Sequence, residues 1–123
     1  MAHKFPIDTM PQLVKDFASY KLTIQGCSQK TVDEYLSDLR LFLKYIYAKR
    51  YGIEVSSDLF ENIIISKLDK DFICSITTDE IYDFFIYVST ERRNNAAAKS
   101  RKLSAIKAFY KFVCQKRKLL EVN

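Results

Sequence analysis

The sequence predicts an all-α protein, a four-helix bundle with an irregular helical connection between its second and third helices. Three observations support this fold class. Two glycines and two prolines among 123 residues are too few turn residues for a sandwich or barrel of many short strands. The hydrophobic fraction of 48% and aromatic fraction of 14% exceed those typical of disordered chains. Apolar residues also recur at helical spacing in four separate stretches.

The first helix is predicted to follow an irregular tail at residues 1–8. Thr9 and Gln12 have the spacing of a capping box, with a proline in the first turn. Apolar residues at helical spacing extend the helix to about Gln25. Gly26 ends it, because glycine tolerates the positive φ of a helix C-terminus.

The second helix has the clearest pattern in the sequence. One apolar stripe runs from Val32 to Tyr47, over four turns. The sequence allows two positions for the start of this helix, because Ser28 is a possible N-cap and Thr31 with Glu34 also makes a capping box. Gly52 marks the end of the helix.

The connection at residues 52–76 is predicted to be irregular, with one or two short helices. Ser57 and Ser66 are each followed three or four residues later by an acid, as at helix starts. The residues 63–65 are three isoleucines that could instead form a short extended piece. The sequence assigns this segment no role.

The third helix is predicted from Thr77 to about Glu91. Thr77 and Glu80 form a capping box at its start. Its core stripe consists of Ile81, Phe84, Phe85 and Val88. Further apolar residues on its flanks are Tyr82, Ile86 and Tyr87. A helix this apolar either lies centrally in the bundle, which we favour, or presents a flank to a partner.

The fourth helix is predicted from about Asn95 to Leu119. Its buried stripe consists of Leu103, Ile106, Phe109, Tyr110 and Val113. At about 100° per residue, the opposite side carries Ser100, Arg101, Ser104, Lys107, Lys111 and Lys118. The predicted domain therefore spans residues 9–119, and residues 120–123 are expected to begin a linker.

The positive charge is concentrated in one part of the sequence. The net charge is +5, from 20 Lys and Arg against 15 Asp and Glu. Ten of these bases and no acid lie between Arg92 and Lys118, which leaves ten bases against fifteen acids, a net −5, elsewhere. Like charges on one helix face repel unless anions lie nearby. The pattern favours nucleic-acid phosphates as those anions over a solubilising face or pairing with acidic helices inside the bundle.

The starts of helices 2 and 4 are the candidate DNA-binding sites. Backbone N–H groups and the helix dipole favour anions at a helix start. Arg101 can bind a phosphate or the edge of a guanine base through two hydrogen bonds, whereas a lysine acts as a point charge. The candidate residues are Ser28, Gln29, Lys30, Thr31, Asn95, Ser100, Arg101, Ser104, Lys107 and Lys111. Taken alone, the run from Ser28 to Thr31 is more typical of an ordinary helix cap.

Other classes of function find no support in the sequence. The three cysteines lack metal or disulfide spacing and are predicted to be buried thiols: Cys27, Cys74 and Cys114. Without a phosphate loop, a nucleophile elbow or a His/Cys cluster, we expect no catalytic residue, metal, cofactor or small-molecule substrate. The longest apolar run, Phe84 to Val88, is far short of a bilayer span, and no signal-peptide pattern occurs. A cytoplasmic protein without membrane contact is therefore expected.

Most of the 9 Phe and 8 Tyr lie on the apolar stripes of the predicted helices. Aromatic residues on such stripes usually pack in a core. Core packing is therefore favoured over the stacking of nucleic-acid bases.

Three runs of the sequence contain motifs of fixed spacing. Ser28 to Phe42 contains S-x-x-T-x-x-x-Y-x-x-D-L-x-x-F. Arg101 to Phe112 contains R-x-L-S-A-x-R/K-x-F-Y-x-F/Y, and Ile76 to Tyr82 contains I-T-x-x-D/E-I. Together these runs resemble the N-terminal, SAM-like core-binding domain of tyrosine recombinases, as in phage-type integrases and Xer-type enzymes. Ala98 departs from the pattern, since many relatives have Ser or Thr there. The stretch between Tyr51 and Cys74 is also longer than in compact Xer-type members.

The resemblance implies the DNA-binding module of a site-specific recombinase. In the family, helices 2 and 4 of this domain contact the major groove of the recombination site, and protomers touch one another on the DNA. A separate C-terminal domain cleaves and rejoins the strands, so the resemblance implies no catalytic residue in this chain. The contacts carried over by motif position are Ser28, Lys30 and Thr31 from helix 2 and Lys99, Arg101 and Ser104 from helix 4.

The alternative hypothesis is a helical protein-interaction module. Its contact surface would be the flank of helix 3 formed by Tyr82, Ile86 and Tyr87. A complex formed through this flank would persist at high salt without DNA binding, whereas a DNA-binding module loses affinity as salt rises.

Overall fold

The computed structural model describes the backbone of residues 5–122 and the side chains of residues 5–115. Within these residues the regular structure is entirely helical. The α-helices are α1 (Gln12–Ser19), α2 (Gln29–Tyr51), α3 (Asp58–Glu61), α4 (Lys70–Ser75), α5 (Thr78–Thr90) and α6 (Ala96–Val122). Predicted helices 1 to 4 correspond to α1, α2, α5 and α6, and α2 packs against the other three. The all-α bundle is confirmed, and α3 and α4 are the short helices expected in the connection.

The chain enters α1 differently from the prediction. A 3₁₀ turn at Ile7–Thr9 occupies the end of the predicted irregular tail, whose residues 1–4 lie outside the described part of the chain. The Thr9 hydroxyl donates a hydrogen bond to the Pro6 carbonyl at 2.6 Å. Because Thr9 belongs to this turn, Pro11 is the N-cap of α1 and no side chain caps the helix. The predicted capping box is therefore wrong.

The ends of the first two predicted helices agree with the sequence. A π-helical turn, Tyr20–Ile24, continues α1 up to Gln25. Gly26 and Gly52 follow with φ of +65° and +69°, in the left-handed region where glycine has no Cβ penalty.

Side-chain caps fix the starts of α2, α4 and α5. The Ser28 Oγ accepts a hydrogen bond from the Thr31 backbone N–H at 3.1 Å, which selects Ser28 over Thr31 as the N-cap. Asp69, rather than Ser66, caps α4. The capping box of Thr77 and Glu80 is present at α5.

The core lies between the four long helices and is rich in aromatic side chains. Phe17 packs edge-to-face on Phe109 with ring centroids 5.5 Å apart, which joins α1 to α6. Phe42 packs in the same way on Phe84 at 5.2 Å, which joins α2 to α5. All four rings are fully buried, so core packing rather than base stacking accounts for them.

One prediction about the packing faces is wrong. Leu103 is 40% exposed, because the buried side of α6 is rotated towards Lys102, which takes the first buried position instead. On α5, Tyr87 belongs to the flank that the alternative hypothesis gives to a partner. It is buried and stacks on Tyr45 with centroids 4.7 Å apart, since α5 turns this side towards α2, in agreement with the favoured central position of this helix.

The prediction of buried cysteines is also wrong. Cys74 and Cys114 are exposed, and Cys27 is half-buried. Cys74 and Cys114 each follow a residue that fills the core, Ile73 or Val113, and the 100° step to the next position turns the thiol outwards.

The last helix continues beyond its predicted end at Leu119. α6 reaches Val122, so residues 120–122 of the expected linker are helical. The sequence after Gln115 contains neither glycine nor proline, so no residue type that usually ends a helix interrupts it. The outer position predicted for Lys118 lies outside the described side chains.

Candidate nucleic-acid interface

Four polar side chains line the outward side of α6. We call this row the outer face; it consists of Ser100, Ser104, Lys107 and Lys111. These residues recur at i, i+4, i+7 and i+11, and all of them are exposed as predicted. Within the described residues, none of these side chains takes part in a hydrogen bond or an ion pair. The row is therefore a cationic, hydroxyl-bearing surface whose donors are available to a partner.

Arg101 does not belong to the outer face. It lies one residue beyond Ser100, about 100° around the helix, on the side that packs against α2. Its Nε and Nη2 donate hydrogen bonds to the two carboxylate oxygens of Asp38 at 2.8 and 3.0 Å. These hydrogen bonds raise the pKa of the Arg101 guanidinium above its ordinary value. The paired N–H donors of Arg101, which were predicted from the sequence to bind DNA, thus bind a carboxylate of the same chain.

Asp38 is a buried anion shared by two cations. Its residue surface is 3% exposed, and the Lys102 Nζ lies 3.2 Å from its Oδ1. Lys102 is itself buried. A carboxylate removed from water needs such partners, because an unpaired buried charge is very costly. The cluster of Asp38, Arg101 and Lys102 therefore fixes α6 against α2.

The sequence left pairing with an acidic helix open as a less favoured alternative, but it did not identify this cluster, although two signals were present. Asp38 lies between Leu36 and Leu39 in the apolar stripe of α2, and a carboxylate among core positions requires a cation. Asp38 and Arg101 also each occupy a fixed position in a recognised motif run.

The candidate residues at the two helix starts have partners within the chain. At α2, Ser28 caps the Thr31 N–H, and the Gln29 Nε2 donates to the Asp33 carboxylate at 2.7 Å. At α6, the Asn95 Oδ1 accepts a hydrogen bond from the Ala98 N–H at 2.8 Å. One backbone donor of each start is thus already satisfied, which reduces what remains for an external anion.

Two lysines complete the candidate set. Lys30 is exposed in the first turn of α2, and Lys99 is half-buried in the first turn of α6. Neither ammonium group forms a hydrogen bond or an ion pair with a described residue. No hydrogen bond or ion pair among the described side chains joins residues 28–31 to the outer face of α6.

The flank of α5 offers less apolar surface than the sequence indicated. Tyr82 is 70% exposed and Ile86 is 48% exposed, one helical turn apart. Tyr87, the third residue of the predicted flank, is buried against α2 and contributes no contact surface. The exposed part of the flank therefore comprises Tyr82 and Ile86.

Two other kinds of site are absent from the described residues. No group of three or more His, Cys, Asp or Glu side chains is arranged to hold a metal ion. No helix in the same part of the chain is long and apolar enough to cross a membrane.

The fold and the outer face together define a small helical module with a cationic surface on α6. Over 114 residues, the chain is 33% identical to the tyrosine recombinase XerC of Caldanaerobacter subterraneus subsp. tengcongensis. The match covers 92% of this chain and 32% of that protein, so the chain spans about a third of the length of the curated relative. The resemblance to tyrosine recombinases is thereby confirmed. No protein-family model matches the chain, and no solved structure matches it.

Proposed function

We propose that this chain is the DNA-binding region of a site-specific tyrosine recombinase of the integrase or Xer type. It holds duplex DNA at a recombination site, while another part of a longer protein cleaves and rejoins the strands. Further recombinase protomers assembled on the same DNA are its protein partners. The observation that carries the proposal is the outer face of α6, and the similarity to XerC supports it.

The outer face has the chemistry that a helix in the major groove requires. The hydroxyls of Ser100 and Ser104 can donate to and accept from base edges or phosphates. Lys107 and Lys111, one and two turns further along, provide point charges for the phosphate backbone. In this arrangement the serines near the helix start lie deepest in the groove, and Lys30 of α2 adds a phosphate contact.

Arg101 has a different role from the other candidates in this proposal. Its pairing with Asp38 holds the start of α6 in place, so it orients the outer face. About 40% of its side chain remains exposed, and its Nη1 forms no hydrogen bond with a described residue. The Nη1 can therefore donate to a phosphate while Nε and Nη2 stay on Asp38.

The direct test is the affinity of the chain for duplex DNA over a range of salt concentrations. We expect log K to fall linearly with log salt, with a slope of about −0.9 for each phosphate that the protein neutralises. Fluorescence anisotropy of a labelled duplex between about 50 and 200 mM salt measures this slope. A chain that does not retain duplex DNA at the lowest salt concentration would contradict the proposal.

A protein-interaction module remains the second candidate because Tyr82 and Ile86 are exposed together on α5. This function requires a complex that survives high salt and dissociates when both residues are replaced by serine. Under the DNA-binding proposal, the Tyr82→Ser/Ile86→Ser variant binds duplex DNA like the parent.

A further inference from the structure

A second cationic surface lies between α2, α3 and the start of α6. We call it the basic cleft; its volume is about 510 Å³. Its positively charged lining residues are Arg40, Lys44, Arg92, Arg101 and Lys102. Its negatively charged lining residues are Asp38 and Glu61, so the lining has a net charge of +3. A cleft with polar walls and excess positive charge favours an anion.

The cations of the basic cleft differ in how much of their charge is already compensated. Arg101 and Lys102 share the carboxylate of Asp38. The guanidinium of Arg40 lies 4.5 Å from the centroid of the Phe5 ring. The Lys44 Nζ donates to the backbone carbonyl of Glu61 at 2.9 Å, and no described carboxylate forms an ion pair with it.

Arg92 has the most available charge in the cleft. Its side chain is exposed and forms no hydrogen bond or ion pair with a described residue. Its backbone is held in place, because the Arg92 N–H donates to the Tyr87 carbonyl at 3.3 Å and the Asn94 N–H donates to the Val88 carbonyl at 2.9 Å. The segment between α5 and α6 therefore holds, at the edge of the cleft, a guanidinium that has no partner among the described residues.

We propose that the basic cleft binds a backbone phosphate of the duplex through Arg92 and Lys44. This inference rests on the proposed function and adds a second anchoring point to it. Arg101 lines the cleft and directly follows Ser100 of the outer face, so the cleft adjoins the outer face at the start of α6. The cleft thus binds the sugar-phosphate backbone, while the outer face contacts the groove.

The test compares charge-removing variants at three places in the chain. Arg92→Gln and Arg92→Gln/Lys44→Gln act on the cleft, and Lys107→Gln acts on the outer face. Lys49→Gln is the matched control, because Lys49 is exposed on α2, lines neither surface and loses the same charge. Each variant is titrated with labelled duplex DNA at several salt concentrations, and its thermal unfolding is recorded to confirm the fold.

We expect Arg92→Gln to make the salt slope shallower by about 0.9, because one fewer phosphate is neutralised. Since a slope of about 0.9 corresponds to about 8-fold in affinity between 1 M and 0.1 M salt, the affinity at 0.1 M salt should fall by about 8-fold. Lys49→Gln should change neither quantity. The cleft proposal is overturned if the Arg92→Gln/Lys44→Gln variant keeps the parent's affinity and slope. If Lys107→Gln binds more weakly in that same experiment, the proposed function stands without the cleft.

A separate titration with sodium pyrophosphate distinguishes a DNA phosphate from a small free anion. Binding of pyrophosphate that is lost in Arg92→Gln, without an effect of Arg92→Gln on DNA affinity, would overturn the proposal in favour of a small-anion site. A parent chain that binds no duplex DNA would contradict both the proposed function and this inference.

Discussion

Asp38 of α2 accepts two hydrogen bonds from the guanidinium of Arg101 of α6, at 2.8 and 3.0 Å, across the interface of the two longest helices. Asp38 is buried, whereas about 40% of the Arg101 side chain is exposed. The pair therefore has a buried acceptor and a donor that reaches the surface. This geometry links the position of the candidate DNA-binding helix to the stability of the bundle.

Replacement of Asp38 by asparagine should destabilise the fold strongly. The isosteric amide leaves Lys102 buried without a counter-ion, and loss of one partner from a buried pair costs about 3 kcal/mol or more. Urea denaturation measures the free energy of unfolding. Lys102→Met serves as the comparison, because Arg101 still satisfies Asp38 in that variant. An Asp38→Asn variant that is no less stable than Lys102→Met would contradict the role of Asp38 as the shared anion.

The same pair affects how Arg101 variants are interpreted. Arg101→Ala removes the orienting contact as well as any phosphate contact, so a loss of DNA binding has two possible origins. Asp38→Asn separates them, since it leaves the Arg101 side chain in place. If Asp38→Asn folds at low temperature but binds DNA more weakly than the parent, orientation of α6 is the dominant contribution.

Glu80 makes the stability of the fold depend on pH. Hydrogen bonds from Arg50, followed by one from the Thr77 backbone N–H, hold the pKa of Glu80 at about 2, below its ordinary 4.5. Because the folded pKa is the lower one, this stabilisation is complete above pH 4.5 and is lost as the pH falls towards 2. We expect about 1 kcal/mol from it, since both side chains are partly exposed.

Urea unfolding of the parent and of Glu80→Gln between pH 5 and pH 2 checks this dependence. Glutamine keeps the shape of the side chain but does not titrate. The parent should therefore lose more stability than the variant over this range. Parallel losses in the two proteins would show that Glu80 does not contribute.

The start of α2 allows capping to be separated from DNA binding. Ser28→Ala should cost about 1 kcal/mol of stability, because the Thr31 N–H loses its acceptor. Lys30→Gln should leave the unfolding free energy within about 0.5 kcal/mol of the parent and weaken DNA binding, since Lys30 is exposed. The result that contradicts this division is a Lys30→Gln variant with unchanged DNA affinity and an altered stability.

The two tyrosines of α5 should respond very differently to truncation. Tyr87→Ala removes a buried ring stacked on Tyr45 and should cost about 3 kcal/mol. Tyr82→Ala, on the exposed side of the same helix, should cost less than about 0.5 kcal/mol. Denaturation midpoints of the two variants provide the comparison. Similar losses would mean that the packing side of α5 has been assigned incorrectly.

The helices were predictable because their signals are local. Gly26, Gly52 and the Thr77–Glu80 box each act within a few residues, and each occurs where the sequence indicated. The Thr9–Gln12 box failed because a competing turn uses Thr9, a choice that the pattern of residue types does not reveal.

The chemistry of the candidate site was harder to predict because it depends on contacts between helices. The periodicity of α6 correctly predicted that Lys107 and Lys111 are exposed. It could not show that Arg101 is bound by Asp38, 63 positions earlier in the chain. The basic cleft likewise combines residues from α2, α3 and the turn before α6, which no single helical pattern brings together.

The central claim is that the outer face of α6 binds duplex DNA. Its most direct test is the salt dependence of duplex affinity for the parent, the Lys107→Gln/Lys111→Gln variant and the Lys49→Gln control. We predict a salt slope about 1.8 shallower than that of the parent for the double variant, and the parent's slope for Lys49→Gln. An unchanged slope and affinity in Lys107→Gln/Lys111→Gln would contradict the claim.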